Sequence, residues 1–518
     1  MVRLLFFKLG SNPETRPIVE NIRARLGECF IAGVEEHLEA TDSVFDAVLT
    51  SHDDGLFGAF SRFDLNRYAM TSDLYDEVRG FEGQGMRMIE RLKYYPQERY
   101  LMPEHTPVYQ DTFQSRSDLF FRYCVFWNEV LNKYKFDAVI SQNLAHMAWE
   151  LPLEKLCTGR RIPFLIFTDV GQWPRIQYVQ ETVETLGVLS LGENLKKICA
   201  PRWLPESTDR VVKHLDRLQG VRDVDDPLFG SLMPVEGKAF KTSSFAAVMN
   251  QGDVRQEIQS FRDLLGAVAK KLGRLLKNPL VVLRNTPRTV RRAIATRRAM
   301  NEELAVCQEF NYDRPFVYFP LHFQPEASTG AKGRHFVEQR EAVALISQSL
   351  PSNWLLVVKE HPHQYRRLYA RQNYFWQRIA SIPNVVVVSH DVDSRTITEK
   401  SEGIVSISHS SIATEAWVAG KRVVFLGDSH LREAPGISTA SSLEELRSVW
   451  ESPPPKKSLH DILGYLRRVE ASTIEGTLYG SAWYLSESEQ SEINQRTQHN
   501  LTELILAWLS TKNLCSYP

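Results

Sequence analysis

The chain has 518 residues, of which 43% are hydrophobic and 24% charged, so it is long enough to form two or more globular domains. Its 62 Lys and Arg residues balance 63 Asp and Glu residues, which excludes a uniformly basic nucleic-acid-binding protein. The six cysteines are scattered and form no Cys-x-x-Cys pair, which is typical of reduced thiols in a cytoplasmic protein.

No targeting segment is predicted from the start of the sequence. Only four consecutive apolar residues stand between Arg3 and Lys8, which is too short for a secretory signal. Elsewhere, no apolar stretch approaches the roughly 18 residues that a membrane-spanning helix requires. We therefore expect a cytoplasmic protein that is soluble or attached to a membrane only at its surface.

Short runs of β-branched residues alternate with amphipathic stretches, a pattern typical of parallel sheets built from β-α-β units. In the first third of the chain, strands are predicted at 2–7, 47–50, 138–141 and 163–167. A helix is predicted over 118–133, and the segment 70–112 is interpreted as a helical insertion. The sequence therefore predicts an α/β fold.

Residues 264–300 form a basic segment that differs from the sequence around it. It contains ten Lys or Arg residues and no Asp or Glu, and its first half has leucines at helical spacing. Pro279 and Pro287 then interrupt the helical pattern. Two interpretations remain open: a surface that binds anionic lipid headgroups, or a solvated linker helix whose charges keep it soluble.

A second α/β series follows residue 311. Its strands are predicted at 316–319, 354–358, 385–388, 404–407 and 423–426. The helices between them are predicted at 337–349, 365–380 and 411–419, and a long terminal helix is predicted at 487–511. This regular alternation indicates a second parallel sheet.

Three polar loops follow strands of this second series, at the edge of a parallel sheet where ligands bind. In the first loop, Pro320 and Pro325 fix the backbone, and Gln324 and Glu326 supply hydrogen-bonding side chains. The second loop carries Lys359 and His361, and Pro362 ends the strand rigidly. A cation and an imidazole donor at this edge suit a phosphate leaving group, whereas a lone histidine at a strand end is otherwise structural.

The third loop begins a helix with two serines. Ser410 and Ser411 can cap this helix and leave backbone N–H groups directed at an anion. Capping accounts for one serine but not for Glu415, which lies four residues beyond Ser411 and misses the capping-box spacing. We expect the Glu415 carboxylate to bind a ribose or sugar hydroxyl, and the helix to end at Gly420.

The three loops together carry the sequences YFPLHFQPEAS, VVKEHPHQ and SISHSSIATEAWVAGKRVVFLG. They resemble the C-terminal half of bacterial transferases of capsule and surface-polysaccharide biosynthesis, including Kdo-transferase-like proteins. The His-Pro and Ser-Ser pairs are also similar to CMP-sugar-binding motifs of bacterial sialyltransferases and to loops of CDP-glycerol glycerophosphotransferases. This resemblance is specific over residues 316–428 and weaker over the first part of the chain.

The resemblance implies a GT-B fold, in which two Rossmann-like domains face each other across a central cleft. Residues 1–185 would form the N-terminal acceptor domain and residues 311–470 the C-terminal domain that binds the nucleotide-sugar. Between them, residues 186–310 would form a helical, basic linker or insertion, and residues 471–518 a C-terminal helical tail.

The resemblance also implies roles for the loop residues. His361 would hold the donor phosphate and assist departure of the nucleotide. The other expected donor-binding residues are Lys359, Pro362, Ser410, Ser411, Glu415, Gln324 and Glu326. Because the related enzymes named above use cytidine nucleotides, a CMP- or CDP-activated donor is favoured, with UDP and GDP left open.

An inverting transfer also needs a base to remove the acceptor hydroxyl proton, usually a carboxylate of the first domain. Asp53 and Asp54 stand in an Asp-Asp-Gly sequence that resembles the acidic motif of the sialyltransferases, although this sequence is also an ordinary turn. Asp169 competes for the same role, and His146 is a further acceptor-side candidate. A retaining enzyme would require no such base.

We therefore expect a glycosyltransferase of bacterial capsule or surface polysaccharide biosynthesis, with a CMP-sugar such as CMP-Kdo as donor. Its acceptor would be a glycan or glycolipid, and its location would be cytoplasmic or peripheral on the inner face of the cytoplasmic membrane. The alternatives are a CDP-polyol phosphotransferase, a non-catalytic GT-B-like glycan-binding subunit and a nucleotide-sugar epimerase. No metal, cofactor or nucleic acid is expected, since helix termini and cationic side chains supply the positive charge in GT-B enzymes.

Overall fold

The fold is described from a computed structural model. It describes residues 1–10, 14–34, 44–50, 70–89, 113–142, 145, 148–170, 175–180, 294–324, 328–330, 332–366, 370–371, 374–478 and 487–516. Most of the basic segment, residues 264–293, lies outside these ranges. No helix in the described ranges is long and apolar enough to cross a membrane.

In the first part of the chain, strands alternate with helices. The strands are β1 (Val2–Phe7), β2 (Cys29–Val34), β3 (Ala47–Thr50), β4 (Ala138–Ser141), β5 (Phe164–Asp169) and β6 (Arg175–Gln180). The helices are α1 (Arg16–Leu26), α2 (Ser72–Val78), α3 (Glu82–Ile89), α4 (Phe113–Tyr134) and α5 (Leu151–Gly159). Helix α1 has proline in its first turn and ends at Gly27, whose φ of 68° requires no Cβ.

The second part of the chain repeats this alternation. Its strands are β7 (Phe316–Pro320), β8 (Leu355–Lys359), β9 (Val385–Val388), β10 (Gly403–Ser406), β11 (Arg422–Phe425), β12 (Ile437–Thr439) and β13 (Ile474–Glu475). Its helices are α6 (Gln339–Ser349), α7 (Pro362–Arg366), α8 (Phe375–Ala380), α9 (Ser394–Lys400), α10 (Ser411–Val418), α11 (Leu443–Glu451), α12 (Leu459–Ala471) and α13 (Glu487–Thr511). The strands β7 to β11 are almost continuously apolar because both faces of their sheet are buried.

Both sheets have the strand order of doubly wound Rossmann folds. The first is ordered β13-β6-β5-β4-β1-β2-β3, with the strands from β5 to β3 parallel. The second is ordered β12-β11-β10-β7-β8-β9 and is parallel throughout. In each sheet the chain builds outward to one edge and then returns to the centre, which opens a crevice where the order reverses. The predicted α/β fold with two Rossmann-like units, as in GT-B proteins, is confirmed.

The end of the chain returns to the first sheet. Strand β13 pairs antiparallel with β6, and the buried Leu504 and Trp508 of α13 pack in the core beneath β1. The Asn500 amide also donates a 2.9 Å hydrogen bond to the Glu475 carbonyl. The residues expected as a helical tail therefore complete the first unit, because the apolar side of α13 is buried in the core of that unit against α1 and β13.

Several elements differ from the sequence predictions. The helix predicted over 365–380 is two helices, α7 and α8, and strands β2, β6, β12 and β13 were not predicted. The break falls near Arg371, whose side chain is drawn into a buried polar cluster instead of lying on a helix surface. Strand β12 has only three residues, too few for a periodic pattern to appear. By contrast, the terminal helix occupies the predicted residues 487–511.

Candidate functional site

The crevice of the second sheet lies between the loops that follow β7 and β10, and a polar relay joins them. His322 Nε2 lies 3.0 Å from Ser406 Oγ, which in turn lies 3.2 Å from Ser410 Oγ. Ser406 donates its own proton to the Ser408 carbonyl at 2.7 Å, so it accepts from both neighbours. Burial and the Arg371 charge lower the pKa of His322 to about 4, so the ring is neutral, and because Ser406 Oγ accepts its hydrogen bond, the ring proton is on Nε2.

The relay ends at the first turn of α10. Ser410 is the N-cap: its hydroxyl accepts a 3.3 Å hydrogen bond from the Ala413 amide. Ser411 is the first helical residue, so the two predicted serines have different positions. The amide groups that begin a helix have no partner within it and carry the positive end of its dipole. This end of α10 is suited to bind an anion.

Glu415 lies one turn into α10, on the same side as Ser411. Desolvation of its partly buried side chain raises the pKa of Glu415 to about 7, with Arg395 opposing and Asp393 reinforcing the shift. Its charge also acts on Tyr318, a buried residue of β7. Glu415 is therefore a partly buried carboxyl group that can accept a hydrogen bond from a hydroxyl.

Lys359 ends β8 with its side chain 1% exposed. Its Nζ donates a 2.8 Å hydrogen bond to Ser394 Oγ, which also accepts one from the Tyr318 hydroxyl at 3.2 Å. Burial lowers the pKa of Lys359 to about 8, with the charge of Asp393 the largest opposing effect. The lysine is thus cationic at neutral pH, and its hydrogen bond to Ser394 holds the ammonium at the start of α9.

His361 follows Lys359 by two residues, and Pro362 begins α7 directly after it. The His363 amide donates a 3.2 Å hydrogen bond to His361 Nδ1, which places the ring proton on Nε2. Burial and the neighbouring charges, His363 first, hold the pKa of His361 well below its usual value. His361 is therefore a neutral imidazole whose Nε2–H can donate a hydrogen bond to an anionic oxygen.

A buried ion pair that sequence reasoning missed lies behind these loops. Arg371 contacts Glu360 through two hydrogen bonds of 2.7 and 2.6 Å, with side-chain exposures of 4% and 0%. It also donates to Gln324 Oε1 at 2.8 Å and to the His322 carbonyl at 2.9 Å. Glu360 stands between two predicted site residues, which is a signal of position only, and no local pattern marks Arg371.

Gln324 lies within this structural network. Its backbone amide and carbonyl pair with the Gln364 side chain at 2.9 Å each, and its own side chain donates to the Val337 carbonyl at 2.8 Å. With Arg371 bound to its Oε1, both ends of the Gln324 side chain have protein partners. The contacts show Gln324 holding loops together, and its expected role in lining the cleft stays a prediction.

Asp169 is the first-sheet carboxylate that adjoins the second unit. It ends β5 and accepts a 3.2 Å hydrogen bond from the Leu478 amide. Desolvation raises the pKa of Asp169 to about 6, opposed by that bond and by the Lys332 charge. Lys332 belongs to the second unit. Val170, the residue after Asp169, packs among the core residues of the second sheet. The Lys332 charge also acts on His409, in the loop before α10.

The remaining predicted site residues are not placed by the structure. Asp53, Asp54, His146 and Glu326 lie outside the described residues. In the described ranges, no cluster of three or more His, Cys, Asp or Glu side chains is arranged to hold a metal ion. Asp393, part of an Asp-Val-Asp sequence, is the N-cap of α9 and accepts a 2.9 Å hydrogen bond from the Thr396 amide.

Residues 289–479 match a protein family described as capsule polysaccharide biosynthesis protein. No curated protein sequence matches the chain. Among solved structures, a β-Kdo 2,7 transferase, KpsC of Thermosulfurimonas dismutans, is similar at 16% identity and a TM-score of 0.23. That similarity covers 36% of this chain and 53% of the other, so this chain spans about half the length of that transferase.

Two further solved structures are similar along nearly the whole chain. The UDP-GlcNAc 2-epimerase of Neisseria meningitidis, bound to UDP-GlcNAc, has 12% identity and a TM-score of 0.23, covering 98% of this chain and 99% of its own. The calicheamicin glycosyltransferase CalG4 has 12% identity and a TM-score of 0.23, covering 98% of both chains. Likenesses this distant say nothing about activity, which is inferred below from the family match and the side-chain contacts.

Proposed function

We propose that this chain, whose residues 289–479 match the capsule polysaccharide biosynthesis proteins, is a glycosyltransferase that uses a nucleotide-activated sugar donor. The acceptor would be a glycan or glycolipid of a bacterial capsule or surface polysaccharide. One observation supports the proposal: three groups suited to a phosphate stand at the carboxyl ends of strands β8 and β10 of the second sheet. These are the N-terminus of α10, the Lys359 ammonium and the neutral His361 imidazole.

In the proposed reaction, the acceptor hydroxyl oxygen forms a bond to the anomeric carbon as the bond from that carbon to the phosphate oxygen breaks. His361 donates a hydrogen bond from Nε2–H to the departing phosphate and keeps its proton, and Lys359 with the first turn of α10 stabilises the negative charge that develops there. These groups would supply the positive charge that a metal ion provides in other transferases.

For an inverting transfer, we propose Asp169 as the base that takes the acceptor proton. Asp169 stands at the carboxyl end of β5, which adjoins the second unit through Val170. Its raised pKa of about 6 leaves the carboxylate ionised at neutral pH but still able to accept a proton. Asp53, Asp54 and His146 stay alternatives for this acceptor side, because they lie outside the described residues.

We propose a CMP-sugar, such as CMP-Kdo, as the donor, with Glu415 bound to a ribose or sugar hydroxyl. This rests on the likeness of the His-Pro and Ser-Ser sequences to cytidine-nucleotide enzymes. A CDP-polyol phosphotransferase is the competing activity, and a phosphodiester linkage in the product would identify it. A non-catalytic glycan-binding subunit would bind the acceptor without turning over any nucleotide-sugar.

A peripheral location on the inner face of the cytoplasmic membrane is proposed from the basic segment 264–300. Ten cationic residues without an acidic neighbour would attract anionic lipid headgroups. Co-sedimentation with liposomes containing anionic lipid tests this, using a variant in which the segment's charges are reversed. Unchanged co-sedimentation of that variant would remove the membrane proposal and leave the transferase proposal intact.

The donor is tested by thermal unfolding of the wild type and His361→Ala with CMP, CDP, UDP and GDP. A nucleotide at roughly 100 times its dissociation constant adds about 2.7 kcal/mol, which should raise the midpoint by about two degrees. A rise with CMP or CDP alone, smaller in the variant, supports a cytidine donor at this loop. A rise with UDP or GDP would overturn the cytidine assignment, and no rise with any nucleotide would favour the non-catalytic subunit.

A further inference from the structure

Arg371 connects the two loops that border the crevice on the β8 side. Its side chain is 4% exposed, and its guanidinium donates hydrogen bonds to Glu360, to Gln324 and to the His322 carbonyl. These partners belong to the loops after β7 and β8, and they include no residue of α10. Arg371 is not itself placed to contact a nucleotide, because its donors are directed into this buried cluster.

One set of contacts runs from Arg371 to His361. Glu360 Oε1 accepts a 2.6 Å hydrogen bond from Arg371 Nη2 and another of 2.6 Å from the His361 backbone amide. The same carboxylate oxygen therefore fixes both the arginine and the backbone that carries the imidazole. Without the arginine, Glu360 would be a buried carboxylate without its counter-ion, and it would take up a proton or turn away from His361.

A second set of contacts runs from Arg371 to α10. Arg371 Nη2 holds the His322 carbonyl at 2.9 Å, and the His322 ring reaches the Ser410 cap through Ser406. The position of the helix N-terminus is thus linked to the same guanidinium that sets His361. The phosphate-binding groups on the two sides of the crevice share one buried support.

We infer that Arg371 is a positioning residue, which holds His361 and the N-terminus of α10 in register for one phosphate group. The inference deepens the proposed function and rests on it for the identity of the ligand. An arginine is needed because its planar fork offers five donors in fixed directions, whereas a lysine can satisfy Glu360 but not the Gln324 and His322 oxygens at once. A buried ion pair adds little net stability over apolar packing, so geometry is what this pair supplies.

The inference is tested with Arg371→Lys, which keeps the charge and loses the fork. The matched control is Arg422→Lys, since Arg422 is 5% exposed in the same sheet but lies at the opposite end, where it donates to the Ser452 carbonyl. Steady-state kinetics with the donor found by the nucleotide screen gives kcat and KM for each variant, alone and combined with His361→Ala.

We expect Arg371→Lys to lower kcat on the order of 10- to 100-fold, as for a misplaced catalytic group, while Arg422→Lys stays near wild type. His361→Ala should cost little more in the Arg371→Lys background, because the imidazole there is already displaced. Equal losses in Arg371→Lys and Arg422→Lys, or additive losses with His361→Ala, would overturn the inference.

A readout independent of turnover is the imidazole ¹⁵N NMR signal of His361, assigned through His361→Ala. The wild type and Arg422→Lys should show a single Nε2–H tautomer, whereas Arg371→Lys should show a tautomer mixture. Glu360→Gln serves if Arg371→Lys fails to fold, and it should give the same mixture. An unchanged signal in these variants overturns the inference, while a wild type that turns over no donor but shows the expected signals would refute only the proposed function.

Discussion

The backbone amide of His363 donates a 3.2 Å hydrogen bond to His361 Nδ1, and this contact fixes the tautomer of the imidazole. The proton is left on Nε2, the nitrogen farther from the backbone. A neutral donor in this position would suit the departing phosphate of the proposed reaction, whereas a cationic histidine would be disfavoured by burial and by the charges of neighbouring groups.

The tautomer predicts different effects for two amide substitutions at His361. His361→Gln places an amide N–H near the former Nε2, whereas His361→Asn places its amide near Nδ1. We expect Gln to retain more activity, with Asn lower by roughly 10- to 100-fold, the value of a hydrogen bond to a charged group. Transfer rates of the two variants at saturating donor measure this, and Asn outperforming Gln would contradict the assigned tautomer.

The raised pKa of Asp169 predicts both a pH profile and a separation of activity from stability. As a base, Asp169 must be ionised, so the rate should fall as the pH drops below about 6. Asp169→Asn should lower kcat by about 10²- to 10⁴-fold, and the remaining rate should no longer fall below pH 6. The amide oxygen can still accept the Leu478 N–H bond, which keeps the local structure.

The stability of the same variant follows from linkage. The folded pKa of Asp169 lies above its usual value of 3.8, so the folded state binds more protons between about pH 4 and 6. The contribution of Asp169 to the free energy of unfolding therefore decreases as the pH rises through that window. The Asp169→Asn variant should not show this decrease. Thermal unfolding at pH 7 should show the variant at least as stable as the wild type, and a large loss would indicate a structural role instead.

Lys359 predicts a basic limb for nucleotide binding. With a pKa of about 8, the side chain is charged at neutral pH and becomes neutral as the pH rises further. Nucleotide affinity measured by calorimetry should therefore weaken above pH 8, and Lys359→Met should be weak at every pH. Lys421→Met is the control, because Lys421 binds backbone carbonyls at the other end of the sheet. If the affinity of Lys359→Met also weakens above pH 8, the titrating group is a residue other than Lys359.

Glu415 predicts discrimination between ribose and deoxyribose if its hydroxyl partner is on the ribose. One lost hydrogen bond of about 1.4 kcal/mol is a tenfold change in affinity, so CMP should bind about tenfold more tightly than 2′-deoxy-CMP. Glu415→Ala should remove this difference, and the exposed Glu399→Ala should keep it. A Glu415→Ala variant that still discriminates would direct the carboxylate to the transferred sugar or to no ligand.

The return of α13 to the first sheet predicts that its residues stabilise that unit. Trp508 is 0% exposed in the core beneath β1, so Trp508→Ala should cost about 3 to 5 kcal/mol of unfolding free energy. Trp508→Phe keeps an aromatic ring and removes the indole N–H, so its cost should be much smaller. Urea unfolding of both variants measures this, and an Ala variant as stable as the wild type would contradict the packing.

Much of the second unit could be predicted from sequence because its signals are local. The apolar runs of β7 to β11 and the serines that begin α10 are properties of a few consecutive residues. Strand β2 was missed because periodicity cannot distinguish a short apolar run from a buried helical segment. Strand β6 alternates polar and apolar residues only in part, and β12 has three residues, too few for a period. The expected helix over 365–380 failed because Arg371 leaves the helical path to reach Glu360.

The sequence by itself determined which residue types stand at the strand ends. Lys359 ends the buried strand β8 and His361 follows it, while Ser410, Ser411 and Glu415 follow the buried strand β10. A parallel sheet brings such ends to one edge. Only the tertiary structure decided their partners. The pairing of Arg371 with Glu360, the tautomer of His361 and the bond from Leu478 to Asp169 depend on distances between residues that no local pattern relates. Periodicity reports which side of an element is buried, whereas sheet order and chain return decide which buried groups meet.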